Sequence, residues 1–151
     1  VDDIVKRADT IKKCENLISN AKANGREDVA KQAVERILQI RAEAHGAETV
    51  AEVEALQAVY AYEKVLSAKN GKSTKASRTW PMIKRHGIVG AVERAVNRPK
   101  ETKGYHALVE MGLEQHAFEA VILRHPDVFS EEAIEISKQR LSEWNSTNCV
   151  D

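Results

Sequence analysis

The chain has 151 residues, 42% hydrophobic and only 5% aromatic, with 23 Lys+Arg balanced by 23 Asp+Glu to a formal net charge of zero. That is the size of one ordinary domain or of two small helical lobes, and the core must be built mainly from Ala, Val, Ile and Leu. No run of about 18 apolar residues occurs, so no membrane span is expected.

Charged residues make up 30% of the chain, with seven Gly and three Pro. Long segments rich in Ala, Glu, Lys, Arg and Leu favour helices, because these side chains lose little rotamer freedom there. In the first segment Ile4, Ile11, Cys14, Ile18 and Ala21 recur in steps of three, four or seven. This predicts an amphipathic helix ending at Asn24-Gly25, a good C-cap pair. A second helix is predicted from Arg26 to His45-Gly46, with Ala30, Ala33, Ile37, Ile40 and Ala44 on one face. A third opens near Thr49 and carries Val53, Leu56, Val59, Tyr60 and Leu66 to Asn70-Gly71. Three helices this long with very short connections read as an antiparallel bundle over residues 1–69.

Residues 70–77, Asn-Gly-Lys-Ser-Thr-Lys-Ala-Ser, read as a basic loop. Beyond it the expected helices are shorter. Ser77 or Thr79 caps the first, with Trp80-Pro81 in its opening turn, where Pro is tolerated, and it stops at His86-Gly87. The next carries Ile88, Val92, Ala95 and Val96 to Asn97-Arg98-Pro99. Tyr105, Leu108 and Val109, then Phe118, Val121 and Ile122, mark two more, broken near Gly112, and Pro126 closes the second. Ser130 followed by two Glu opens a last helix running to Trp144, since a hydroxyl cap and acids suit a helix N-terminus. The expected fold is therefore all-α: a three-helix bundle over 1–69, packed with a cluster of about five short helices over 78–145, and a tail over 146–151. Neither lobe is rich in large apolar residues, so one shared core is expected.

The balanced total hides an uneven distribution. Residues 1–63 carry a net charge of −3, residues 64–103 hold 11 Lys+Arg against Glu93 and Glu101 for +9, and residues 104–151 carry −6. Lys69, Lys72, Lys75, Arg78, Lys84 and Arg85 fall in or beside the loop, with Ser73, Thr74, Ser77 and Thr79 between them. This mixture is the one that contacts phosphate backbones, often together with the N–H groups of a helix N-terminus. Arg94, Arg98 and Lys100 extend the footprint. A long helix, a connection and a short helix starting near Thr79 loosely resemble a helix-turn-helix presentation, which puts DNA ahead of RNA. Trp80 reads as packed rather than as a base-stacking platform, and Tyr60, Tyr62, Tyr105 and Phe118 as interhelix packing.

Other chemistry finds little support. Gly71-Lys72-Ser73-Thr74 copies the tail of a P-loop, but Leu66 stands where the earlier glycine belongs and the preceding segment reads as helix instead of strand. None of His45, His86, His106, His116 and His125 is paired at zinc spacing, and His116 with Glu119, near Glu110 and Glu114, has the wrong order for a helical carboxylate site, so no metal or other cofactor is expected. His45, His86 and His125 lie at predicted helix C-termini, where the dipole favours a protonated ring. Ser67, Ser73 and Ser77 lack a nucleophile-elbow context, and Cys14 and Cys149 lack a neighbouring His, so no catalytic residue is named. Both cysteines read as free thiols and Asn145-Ser146-Thr147 as a chance sequon match, which points to a cytoplasmic location. Val1-Asp2-Asp3, without an initiator Met, reads as a processed end rather than a signal peptide.

The leading expectation is thus a non-catalytic nucleic-acid-binding helical module. Second comes an interaction module, an adaptor or inhibitor, docking its basic face on an acidic protein. Third is a scaffold or homodimer, associating through complementary patches or through the Ala-rich faces of the first two helices.

Overall fold

The computed structural model describes residues 2–98 and 103–148, and every regular element among them is helical. The all-α expectation holds. Contacts divide the chain into two compact units, Val1–Ala47 and Glu48–Asp151.

The first unit contains α1 (Asp3–Lys6), α2 (Ile11–Ala23) and α3 (Glu27–Ala44). Its core joins Val5, Ala21, Val29 and Ala30 with Leu17 and Ile18, and continues through Ala8, Cys14 and Ile37. The single first helix expected from the periodicity is broken. Asp2 caps α1, and Thr10 starts α2 afresh by accepting a hydrogen bond from the Lys13 N–H. The break moves Val5 into the core at 1% exposure and leaves Ile4, an expected core residue, 49% exposed. Local capping thus outweighs an apolar register that spans two segments. Cys14 is a free, buried thiol, and burial pushes its pKa up. Cys149 lies outside the described residues.

The second unit is built on α4 (Val50–Asn70), which packs against α5 (Thr79–Asn97), α6 (Lys103–Glu110) and α7 (Phe118–Arg124). A short 3₁₀ turn, Glu114–His116, links α6 to α7, and α8 (Glu131–Asn148) packs against α5 and α7. The sequence pattern grouped α4 with α2 and α3. Its contacts place it among the helices of this second unit. The reason lies in its composition. Ala51, Ala55, Leu56, Ala58, Val59, Ala61 and Val65 are all buried and wrap much of the helix. A helix apolar over most of its circumference is a central one, and Ala at the contacts lets neighbours approach closely. Thr49 and Glu52 form a reciprocal capping box at its start, and Gly71 ends it in the left-handed conformation with φ 69°.

Glu54 on α4 is tied to the end of α7. Arg124 donates Nε–H to its Oε1, and His125 Nε2 lies 3.0 Å from its Oε2. Burial alone raises the Glu54 carboxyl, but the Arg124 and His125 contacts outweigh it and hold the group below its ordinary 4.5. Ser130 accepts from the Ala133 N–H at 3.2 Å at the start of α8, as the sequence leads one to expect.

Candidate nucleic-acid interface

The basic segment begins where α4 ends, and the chain there is firmly held. Glu63, only 4% exposed, accepts two hydrogen bonds on Oε2: from the Ala76 N–H at 2.8 Å and from the Trp80 indole N–H at 2.6 Å. The Trp80 ring also rests on Tyr60, with centroids 5.3 Å apart. Trp80 is therefore an anchor rather than a base-stacking platform. Within the loop, the Thr74 N–H donates to Ser67 Oγ at 2.8 Å and Asn70 Nδ2 donates to Thr74 Oγ1. The Gly71-Lys72-Ser73-Thr74 stretch follows a helix instead of a strand, and Thr74 Oγ1 donates to the Lys72 carbonyl, so it lacks the setting of a phosphate-cradling P-loop.

Anchoring the loop sets the start of α5. Its N-cap position is Arg78, with no side-chain cap from Ser77 or Thr79. Arg78, Met82 and Arg85 then follow at steps of four and three, which place them on one helix face. At Gly87 the backbone leaves the helix with φ 80° and ψ 171°. That region is open essentially to glycine alone. The chain resumes as a second half carrying Arg94, Asn97 and Arg98, again at steps of three and one. A Cβ at Gly90 would stand 3.2 Å from the His86 Cβ, so a side chain there would press His86 aside by a few tenths of an ångström.

The elbow builds a cleft of about 760 Å³. Arg78 and Arg85 line it from the first half of α5, Arg94 and Arg98 from the second half and its end, with His86 and Asn97 between them. Among the described residues, none of these four guanidinium groups has a carboxylate within 4.0 Å. Glu93, the acid closest in sequence, accepts the Ser130 N–H instead. Desolvation, and then the positive fields of Arg94 and Arg85, push the His86 ring below its ordinary 6.5. Charges of one sign gathered on an exposed concave surface attract counter-ions, an effect that falls with salt.

Of the nine cations singled out by sequence, Arg78, Arg85, Arg94 and Arg98 come together here. Lys72 and Lys75 are exposed in the loop, and Lys84 is exposed on α5 without lining the cleft. Lys69 sits on the rim of a different cavity. Lys100 lies outside the described residues. Sequence reasoning passed over His86 and Asn97 as lining residues and Glu63 as the anchor. The four-residue spacing of Met82 and His86 puts both on one helix face, but a lone Glu in an Ala-rich helix carries no signal of its partners.

No group of three or more His, Cys, Asp or Glu among the described residues is placed to hold a metal ion. Glu119 pairs with Arg140, whose Nη1 lies 3.2 Å from its Oε2. None of the described helices is long and apolar enough to cross a membrane. No family model, no curated protein and no solved structure matches the chain.

Proposed function

We propose that the chain is a non-catalytic nucleic-acid-binding helical module whose phosphate contacts come chiefly from Arg78, Arg85, Arg94 and Arg98. The observation that carries this reading is the gathering of four guanidinium groups on one cleft with no carboxylate near them among the described residues. Guanidinium is planar, always charged and matched to two phosphate oxygens at once, and its hydration is weak enough to be displaced. Lys72 and Lys75 extend the contact from the loop, with Lys69, Lys84 and Lys100 as outlying contributors. Backbone contacts of this kind position a protein on a duplex without reading its sequence. The entry of α5 after α4 favours duplex DNA over RNA as the first ligand to test.

The test is fluorescence anisotropy of labelled duplex DNA and single-stranded RNA, titrated at several salt concentrations. Binding at micromolar or tighter affinity, with log affinity falling linearly in log salt, supports the proposal. No binding at about 50 mM salt, where such contacts are strongest, overturns it. Equal competition by poly-glutamate would transfer the cleft to an acidic protein partner.

A further inference from the structure

A second cavity, of about 300 Å³, lies in the same unit between α4, α6, α7 and α8, and its lining has a different character. The chain holds two Trp, three Tyr and two Phe, and four of these rings, Tyr62, Tyr105, Phe118 and Trp144, line this one space. Such concentration in a domain poor in aromatics is more than a filled core requires, because the space between the rings stays open. Tyr105 and Trp144 stack with centroids 5.0 Å apart and planes 28° apart, on one side of the cavity. The Tyr105 hydroxyl donates to Asn145 Oδ1 at 2.9 Å, so the polar end of that ring is already satisfied.

The charges around the cavity indicate the occupant. Glu119 lines it at 1% exposure, but its carboxylate is offset by the Arg140 guanidinium. Lys69 stands exposed on the rim, and no carboxylate among the described residues lies within 4.0 Å of its ammonium. Lys69 is thus the one lysine or arginine among the lining residues, and it stands where a ligand would enter. A dry apolar cavity of about 150 Å³ admits benzene. Twice that volume, walled by rings, suits a body of two fused rings, and ligand pockets of about 300 Å³ upward are common.

We infer that this cavity binds a small aromatic carboxylate of one or two rings, its rings against Tyr105 and Trp144 and its carboxylate at Lys69. Ring burial supplies most of the affinity and the lysine supplies orientation. The site is separate from the arginine cleft and does not depend on nucleic-acid binding.

The probe is 2-naphthoate, titrated into the full chain and followed by amide and indole N–H shifts in ¹H–¹⁵N NMR spectra. Saturable shifts centred on Tyr62, Tyr105 and Trp144 are expected, with 2-naphthalenemethanol, which has the same rings and no charge, binding up to about fivefold more weakly. Lys69→Gln should erase that difference. Ala107→Leu, which narrows the cavity from α6, should abolish binding while the helical circular dichroism is kept. Shifts centred on Arg85, His86 and Arg94 would overturn the inference. So would undiminished binding in a folded Ala107→Leu variant, or no saturation at millimolar probe.

Discussion

Replacing Arg85 and Arg94 with Ala removes half of the four guanidinium groups that line the cleft, one from each side of the Gly87 elbow. Each phosphate neutralised on B-DNA contributes about −0.9 to the slope of log affinity against log salt. If the four cleft arginines are the whole contact, the slope is about −3.6, and raising salt from 50 to 200 mM weakens binding about 150-fold. If all nine cations singled out by the sequence contribute, the slope approaches about −8 and the loss exceeds about 10⁴-fold. The two cases are far enough apart for anisotropy titrations at five salt concentrations to separate them. In the first case the double variant halves the slope to about −1.8; in the second it falls only to about −6.3. Lys84→Ala is the internal control, because Lys84 is exposed on the same helix but does not line the cleft. A wild-type slope retained by the double variant, or a larger change from Lys84→Ala than from Arg85→Ala, refutes the placement of the contact in the cleft.

Four further outcomes follow from the same geometry. Gly87→Ala should lower stability by about 1–3 kcal/mol, read from denaturant midpoints, because alanine has no relaxed state at that φ and ψ. Glu63→Leu leaves the Ala76 N–H and the Trp80 indole without their acceptor, which should cost about 2–4 kcal/mol and red-shift the Trp80 emission; an unshifted spectrum would mean the anchor is dispensable. His86 is lowered by desolvation and then by Arg94 and Arg85, and a phosphate arriving in the cleft would offset the arginine part of that shift and draw a proton onto the ring. Affinity should therefore rise as pH falls below about 6.5 and lose this dependence in His86→Gln, measured by anisotropy from pH 8 to 5.5. Glu54 has a lowered folded pKa, so its contribution is fully present above 4.5 and is lost as pH falls through the folded value. Glu54→Gln should cost about 1 kcal/mol at pH 7 once solvent screening is allowed for, and should flatten the acid limb of a stability-against-pH curve.

The helices were legible because their ends are written in local chemistry. Asn24-Gly25, Thr49 with Glu52, Asn70-Gly71 and Ser130 each act within a turn or two of where they stand, and each marks a real boundary. The same locality explains the misreading at the start. An apolar register ran from Ile4 to Ala21, yet Thr10 caps a new helix in the middle of it. Which helix packs on which was less legible. α3 and α4 are both long, but α3 buries one face whereas Ala, Leu and Val are buried around most of α4, and that difference marks α4 as a centre. Charge was legible as an excess and not as a place. The linear run did not distinguish Lys84 from Arg85, one position apart, although their side chains leave the helix about 100° from each other.

Three separate devices converge on the cleft, and each acts by taking something away from it. Glu63 is buried beneath the loop, where it accepts from the Ala76 and Trp80 donors, fixes the start of α5 and is turned away from the cleft lining. Glu93 is one residue from Arg94 and yet bonds to the Ser130 amide at the start of α8. Gly87 bends α5 so that arginines from both halves share one space, at a backbone conformation other residues avoid. Gathering like charges costs stability, since the guanidinium groups repel one another and depress the histidine between them. An anion bound in the cleft would offset that repulsion, and the salt slope of Arg85→Ala/Arg94→Ala is the measurement that tests it.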